Sequence, residues 1–195
     1  MQLAKLAGCS DSELLFTGGG TEAINTAVCG ILASRAPRKQ IVTCTVEHSA
    51  TRELCTQLGK EGFEIEEIPV NSLGYLDFDR LQQAITAETA LVSMMWANNE
   101  TGVIFPVEQI AGLCKTAGVP FHCDATQAIG KIPVDFRALG IDAASLASHK
   151  FHGPKGVGAL FTRKGLRFKP LLIGGPQERG RRGTIQSIFC RCFIS

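Results

Sequence analysis

Residues 89–124, TALVSMMWANNETGVIFPVEQIAGLCKTAGVPFHCD, contain two apolar runs separated by an amphipathic segment. The runs at 89–94 and 119–123 predict strands, and residues 106–117 predict a helix. Pro106 suits the first turn of that helix, and Gly118 suits its end. This strand–helix–strand order predicts a layered α/β fold with a largely parallel sheet.

The same alternation continues in both directions along the chain. Asp77 is a plausible N-cap for one of the further helices. Further strands are predicted at 13–16, 40–44, 63–68, 143–146 and 157–162, and further helices at 21–33, 49–60 and 77–86. We therefore expect one mostly parallel mixed sheet flanked by helices.

Polar groups and a glycine loop follow five of the predicted strands within a few residues. They are Gly18, His48, Asn99, Asp124 and Lys150. Open α/β sheets bind ligands at the carboxyl ends of their strands. The five positions therefore predict one convergent site.

Composition limits the kind of protein this can be. Of 195 residues, 45% are hydrophobic and 19% are charged, which is typical of a globular protein. The net charge of +2 gives no indication of nucleic-acid binding, and no apolar run is long enough to span a membrane. The N-terminus lacks the apolar stretch of a signal peptide, and the eight scattered cysteines suit a reduced core. We expect a cytoplasmic protein.

The glycine run at 18–20, followed by Thr21 and Glu22, lies between a predicted strand and a predicted helix. Glycines let the backbone approach an anion closely, and a helix N-terminus offers unpaired N–H groups. Thr21 adds a hydroxyl donor. The loop therefore suits a phosphate, although an ordinary tight turn remains an alternative.

Asp124 ends the apolar run VPFHC at residues 119–123. A carboxylate at the end of a buried strand needs a cationic or strongly polar partner. The pyridinium nitrogen of pyridoxal phosphate is one such partner, because a carboxylate there keeps the ring protonated. Gln127 lies three residues further on and could reach the phenolic oxygen of the ring. The alternative is that Asp124 only caps the next short helix.

Lys150 follows another predicted strand and precedes a glycine-rich turn at 153–156. This position suits a lysine that forms a Schiff base, since partial burial would lower the pKa of its amine. Ser148 and His149 could help to bind the phosphate. An ordinary surface lysine before a loop is the alternative.

His48 and Asn99 complete the set of candidate site residues. An imidazole at a strand end can stack on a planar ring, although a lone histidine more often has a structural role. Asn99 could donate a hydrogen bond to a ring oxygen or to a substrate. Its alternative is a turn built from Asn and Gly.

Taken together, these motifs resemble the cysteine desulfurases of the nitrogen-fixation and iron–sulfur assembly type. These are fold-type I pyridoxal-phosphate enzymes of the class V aminotransferase superfamily. The resemblance runs from about residue 13 to residue 184. It rests on FTGGGTEAINTA (16–27), VEHSA (46–50), MWANNETGVIFPV (95–107), HCDATQAIGKIPVD (122–135), SHKFHGPKGVGAL (148–160) and GGPQERGRRGT (174–184).

The resemblance implies a role for each candidate residue. Lys150 would form the Schiff base, His48 would stack on the ring, and Asp124 would pair with the pyridinium nitrogen. Asn99 and Gln127 would hold the ring oxygen. The phosphate would be surrounded by Gly20, Thr21, Ser148 and His149. Thr184 would reach the phosphate of a neighbouring subunit, which implies a homodimer.

The implied reaction converts L-cysteine to L-alanine and transfers sulfur to an enzyme cysteine. The sulfur would then pass to an acceptor or iron–sulfur scaffold protein. Selenocysteine lyase shares these motifs and is an alternative. A truncated remnant without catalytic activity is another.

The chain also departs from the family pattern. Members open with about sixty residues that this sequence lacks, and they carry their catalytic cysteine more than a hundred residues beyond the Schiff-base lysine. The C-terminal small domain has no counterpart here, and Cys190 and Cys192 do not match the catalytic loop. We therefore expect a cofactor-binding large domain at 1–184, an atypical tail at 185–195, and little turnover from this chain alone.

Overall fold

The computed structural model describes residues 2–183. This part of the chain contains six α-helices and seven strands, and no α-helix separates β5, β6 and β7. The helices are α1 (Gln2–Leu6), α2 (Gly20–Leu32), α3 (Ser49–Lys60), α4 (Phe78–Ala84), α5 (Val107–Ala117) and α6 (Gln177–Gly180). The strands are β1 (Leu14–Thr17), β2 (Gln40–Cys44), β3 (Glu64–Ile68), β4 (Thr89–Met95), β5 (Phe121–Asp124), β6 (Ala143–Ala147) and β7 (Gly158–Thr162). The short 3₁₀ helices are Asp11–Glu13 and Ser148–Phe151.

The seven strands form one sheet in the order β1-β7-β6-β5-β4-β2-β3. Strands β2 to β6 run parallel to one another, whereas β7 is antiparallel to both β6 and β1. The expected α/β fold with a mostly parallel mixed sheet is confirmed. Since β7 reverses direction on both sides, β1 points the same way as the parallel strands. The carboxyl ends of β1, β2, β4, β5 and β6 therefore meet at one edge of the sheet.

Apolar side chains pack on both faces of the sheet and form two core layers. On one face α2 and α3 cover the sheet, with Ile24 and Leu91 among the fully buried residues. On the other face α1, α4 and α5 cover it, with Ile110 and Met94 buried there. The adjacent residues Leu91 and Val92 of β4 thus enter opposite layers, as the two-residue period of a strand requires.

Local signals in the sequence fix most element ends. Asp77 caps α4 by accepting the Arg80 N–H at 2.9 Å. Gly118 ends α5 in the left-handed conformation, with φ of 64°. Most predicted ends lie within one residue of the observed ones, and α4 ends at Ala84 rather than at residue 86. The predicted start of β5 is also wrong, because β5 begins at Phe121 and not at residue 119. The physical reason is that Pro120 has no N–H for the sheet and contributes only its carbonyl, which accepts the Val92 N–H.

The six cysteines among residues 2–183 are all free, and four of them are buried. This agrees with the expected reduced core cysteines. Cys190 and Cys192 lie outside the described residues. Within the described part of the chain, no helix is long and apolar enough to cross a membrane.

His122 forms a polar bridge across three central strands of the sheet. Its Nδ1 lies 2.8 Å from Ser93 Oγ on β4, and its Nε2 lies 2.8 Å from Ser145 Oγ on β6. Complete burial lowers the pKa of His122 to about 3. The ring is therefore neutral, with one nitrogen donating and the other accepting. This bridge fixes the register of β4, β5 and β6 beside the site.

We expect His122 to make the protein sensitive to acid. Between its ordinary pKa of 6.5 and about 3, the unfolded chain binds a proton that the native chain does not. The free energy of unfolding should therefore fall as the pH drops through this range, by at most about 5 kcal/mol. Urea unfolding of His122→Phe should show a shallower decline between pH 6.5 and 5 than the unsubstituted chain. Equal slopes would contradict this role.

Candidate functional site

A cavity of about 150 Å³ lies at the carboxyl edge of the sheet. Eight of the ten candidate residues line it: Gly20, Thr21, His48, Asn99, Asp124, Gln127, His149 and Lys150. They come from five separate strand ends, which the parallel sheet brings together. Ser148 does not line this cavity, and Thr184 lies outside the described residues.

The N-terminus of α2 forms one wall of the cavity. The first N–H groups of a helix have no acceptor within the helix, so those of Gly20 and Thr21 are available to an anion. The glycine loop is held against β7 by a close backbone approach. A Cβ at Gly158 would lie 2.6 Å from the carbonyl carbon of Gly19. Glycine at position 158 therefore lets the loop reach its place.

A second cavity of about 480 Å³ adjoins the first. Gly20, Thr21 and His149 line both cavities, and Lys155 lines the second. The helix N-terminus thus faces a region with two basic side chains from the loop after β6. This end of the site suits an anionic group such as a phosphate.

Asp124 lies at the end of β5 and is only 7% exposed. Its Oδ1 caps the following turn by accepting the Thr126 N–H at 3.0 Å, but residues 125–132 form no helix, so the expected helix cap is not observed. Asp124 also lines the cavity, so capping does not exclude a functional role. Burial raises the pKa of Asp124, while the Thr126 hydrogen bonds and the nearby His48 oppose that shift. A cationic ligand group beside it would stabilise the carboxylate.

His48 is the N-cap of α3, and its Nδ1 accepts the Ala50 N–H at 3.1 Å. This hydrogen bond places the proton of the neutral ring on Nε2. The ring is exposed on the cavity side and lies close enough to Asp124 to lower its pKa. The structural role and the cavity-lining role thus occur together in one side chain.

Lys150 lies at the cavity in the 3₁₀ helix that follows β6. The side chain is exposed, so the expectation of partial burial is wrong. The reason is that the 3₁₀ turn carries residues 149 and 150 beyond the buried end of the strand. The amine therefore lies at the rim of the site, where a ligand aldehyde could reach it.

Ser148 is fully buried behind this rim, and its hydroxyl donates to the Pro154 carbonyl at 2.6 Å. A Cβ at Gly153 would lie 2.3 Å from Ser148 Oγ, so the glycine makes room for this contact. The hydroxyl holds the loop between β6 and β7 closed. Its role as a phosphate ligand stays a prediction.

Asn99 is exposed at the cavity rim, and Gln127 is half-buried. The Gln127 side-chain oxygen accepts a hydrogen bond from Lys131. The turn that was the alternative explanation for Asn99 is built by its neighbour, because Asn98 Oδ1 accepts the N–H groups of Glu100 and Thr101. Asn99 is therefore not needed for that turn.

Sequence reasoning missed several residues of the site. The cavity is also lined by Ile24, Ala50, Met95, Ala97, Thr126 and Ala147. Thr126 has a buried hydroxyl that lies beside the Asp124 carboxyl. Its place two residues after Asp124 was a usable signal. Glu47 is buried beside the site, and nothing local in the sequence predicts the burial of that carboxyl.

Comparison with known proteins gives a consistent assignment. The model of the class V aminotransferase family matches residues 1–183. The chain is 48% identical over 187 residues to cysteine desulfurase 2 of Trichormus variabilis, covering 96% of this chain and 47% of that protein. It is 53% identical over 180 residues to a cysteine desulfurase of Cereibacter sphaeroides, covering 92% of this chain and 46% of that protein.

Solved structures agree with the sequence comparison. A structure described as a NifS-like protein superposes with a TM-score of 0.94 at 40% identity, covering 99% of this chain and 54% of that one. A structure of SspA in complex with cysteine superposes with a TM-score of 0.92 at 32% identity, covering 98% and 56% of the two chains. The chain thus spans about half the length of the relatives that it matches. From the family match and these likenesses, we conclude that the chain belongs to the class V aminotransferase family.

Proposed function

We propose that residues 1–184 form the pyridoxal-phosphate-binding large domain of a cysteine desulfurase, with residues 185–195 as a separate tail. The observation that carries this proposal is the meeting of three groups at one cavity. A helix N-terminus, the buried Asp124 and the accessible amine of Lys150 all line it. These three groups complement the phosphate, the ring nitrogen and the aldehyde of the cofactor.

The residues present fit pyridoxal phosphate on chemical grounds. Asp124 is a buried carboxylate that lacks a salt bridge among the described residues, and a protonated ring nitrogen would supply one. Thr126 has a buried hydroxyl whose oxygen lies 3.5 Å from where a Cβ of Gly20 would be, at the predicted phosphate end. The imidazole of His149 and the amine of Lys155 line the same end of the site.

When bound, pyridoxal phosphate supplies an electron sink that stabilises negative charge on a substrate carbon. Asp124 would hold the proton on the ring nitrogen, and His48 would cover the face of the ring. Lys150 Nζ would bind the aldehyde carbon and, when displaced, would be placed to accept the Cα proton of the amino acid. Asn99 and Gln127 would orient the ring through its phenolic oxygen.

The proposed substrate is L-cysteine, which would be converted to L-alanine while its sulfur is transferred to an enzyme cysteine for iron–sulfur cluster assembly. The relatives named cysteine desulfurases and the neighbour in complex with cysteine support this choice. A homodimer, a sulfur-accepting scaffold protein and a cytoplasmic location belong to the same proposal. The free cysteines of the described core agree with a reducing compartment.

A spectroscopic titration tests the function. The purified chain should bind pyridoxal phosphate saturably, with the absorption band of a protein-bound Schiff base. After removal of unbound cofactor, L-cysteine should shift this band, whereas L-serine should change it far less. Free cofactor mixed with L-cysteine is the control for reaction in solution. Absence of saturable binding at millimolar cofactor would overturn the proposal for this chain.

A further inference from the structure

Glu47 lies in the turn between β2 and α3, directly before His48, and is only 4% exposed. Glutamate is almost never buried to this extent without a charged partner. Among residues 2–183, no lysine or arginine forms a salt bridge with it. The burial of the Glu47 carboxyl group is therefore not explained by a salt bridge.

Glu47 forms hydrogen bonds with residues at the ends of two strands, β2 and β4. Its Oε1 accepts the Met95 N–H at 2.7 Å and the Cys44 thiol at 3.2 Å. Met95 is the last residue of β4 and lines the cavity, and it is paired in register with Asp124 of β5. One carboxyl group thus connects the ends of β2 and β4 beneath the site.

The second carboxyl oxygen of Glu47, Oε2, differs from Oε1 in its hydrogen bonding. Oε2 is buried and has no hydrogen-bond partner among the described residues. The buried hydroxyl of Thr51, in the first turn of α3, lies beside the same carboxyl, but no well-formed hydrogen bond joins the two among the described residues. A proton on Oε2 would make this oxygen a hydrogen-bond donor. It would also remove the cost of burying an unpaired charge.

The carboxyl groups of Glu47 and Asp124 are neighbours, but their surroundings differ. Burial and the charge of Asp124 raise the pKa of Glu47 to about 8. Burial also raises the pKa of Asp124, but Asp124 accepts the Thr126 N–H, borders the cavity and lies near His48, and the Thr126 and His48 contacts oppose that rise. Since two adjacent buried carboxyls resist ionising together, the proton favours the site with less support for the anion.

We propose that Glu47 is a positioning residue that keeps the proton of the Glu47–Asp124 carboxyl pair, so that Asp124 carries the single negative charge at the cavity floor. Through its contact with Met95 and its position next to His48, Glu47 also fixes that floor. The link to catalysis rests on the proposed function, because it takes Asp124 as the partner of the ring nitrogen. The proton location itself does not depend on that function.

The other groups that face Glu47 do not compete for this proton near neutral pH. Burial raises the pKa of the thiols of Cys44 on β2, Cys55 on α3 and Cys123 on β5, so all three stay protonated. Met95 of β4 contributes only its backbone N–H, and Thr51 only its hydroxyl. Asp124 and the imidazole of His48 are thus the remaining ionisable neighbours.

Carbon-13 NMR of the chain labelled at its aspartate and glutamate carboxyl carbons tests the proposal without cofactor. One glutamate resonance should titrate with a midpoint near 8, and it should disappear in Glu47→Gln. In Asp124→Asn the same resonance should remain, with a lower midpoint, because the neighbouring charge is gone. A Glu47 midpoint near 4.5, or one that Asp124→Asn leaves unchanged, would overturn the proposal.

Unfolding equilibria provide a second measurement. A raised carboxyl pKa stabilises the fold fully below its ordinary value of 4.5, and this stability is lost as the pH rises to about 8. The unfolding constant should therefore rise by about tenfold per pH unit from this group between pH 5 and 8. Glu47→Gln, which matches the shape of the protonated acid, should remove this contribution. An unchanged pH dependence would contradict the proposal.

Cofactor binding separates the two proposals. Glu47→Gln should keep the affinity for pyridoxal phosphate within about threefold, whereas Glu47→Ala should lower it by tenfold or more because the contact with Met95 is lost. Equal losses in both variants would contradict a role for the protonated carboxyl. If neither the unsubstituted chain nor the variants bound the cofactor, the proposed function would be wrong. The NMR titration would still decide whether Glu47 carries the proton.

Discussion

Replacement of Lys150 by alanine is expected to abolish covalent trapping of pyridoxal phosphate. Borohydride reduces a lysine Schiff base to a stable secondary amine, so the modified lysine can be found by peptide mapping. Lys150 is the only lysine among the described residues that lines the cavity with Asp124. The unsubstituted chain should therefore carry the label on Lys150, and Lys150→Ala should carry none.

Lys155→Ala is the matched control for this experiment. Lys155 lies five residues further on, is also exposed, and lines the adjoining cavity beside the glycine loop. It could bind the phosphate, but its place does not favour it as the Schiff-base lysine. The control variant should still be labelled on Lys150. Label on Lys155, or on any other lysine of the unsubstituted chain, would refute the assignment.

Replacement of Asp124 by asparagine is expected to weaken cofactor binding by about 10²- to 4 × 10³-fold. Removing one partner of a buried ion pair costs about 3–5 kcal/mol, and each 1.4 kcal/mol corresponds to tenfold in affinity. Asparagine keeps an oxygen that can accept the Thr126 N–H, so the cap of the following turn is retained. Equilibrium titration with pyridoxal phosphate measures the loss.

The same substitution should stabilise the protein in the absence of cofactor. Burial raises the pKa of Asp124, so its ionised form is disfavoured in the folded chain. Such a group contributes stability below its ordinary pKa of 3.8 and loses it as the pH rises. At pH 7 the neutral asparagine avoids this loss, and the melting temperature should rise. A lower melting temperature together with unchanged cofactor affinity would contradict the proposed role.

Asp142→Asn is the matched control for Asp124→Asn. Asp142 is 8% exposed, close to the 7% of Asp124, and lies just before β6 at the opposite edge of the sheet. Its Oδ1 accepts from Arg163 at 2.8 Å, and its Oδ2 accepts the Phe121 N–H. Since these are structural contacts away from the cavity, the control should lose stability and keep cofactor affinity. The two variants thus have opposite expected effects.

Several features of the fold could be predicted because their causes are local. The bounds of β2 and α3, the cap at Asp77 and the end of α5 at Gly118 follow from signals within a few residues. The placement of the candidate residues at strand ends was also visible locally. Since strands of a parallel sheet end at one edge, their convergence followed from the predicted fold class.

Contacts between distant segments decided the rest. Glu47 is buried because the end of β4, 48 residues away in sequence, packs over it and donates the Met95 N–H. Lys150 is exposed because the 3₁₀ turn after β6 carries it past the sheet, although the strand before it is buried. The hydroxyl of Ser148 donates a hydrogen bond to the carbonyl of Pro154, a contact that no pattern of residue types predicts.

The sequence by itself determined the order of strands and helices, their main ends, and which polar groups lie at the carboxyl edge. Backbone propensity and apolar periodicity are properties of short segments, and they are readable from one chain. Only the tertiary structure decided the charge environment of the site. Glu47 is buried beside Asp124 because β2, β4, β5 and α3 together exclude water from it. Desolvation of this kind arises from the packing of several elements and not from any single segment.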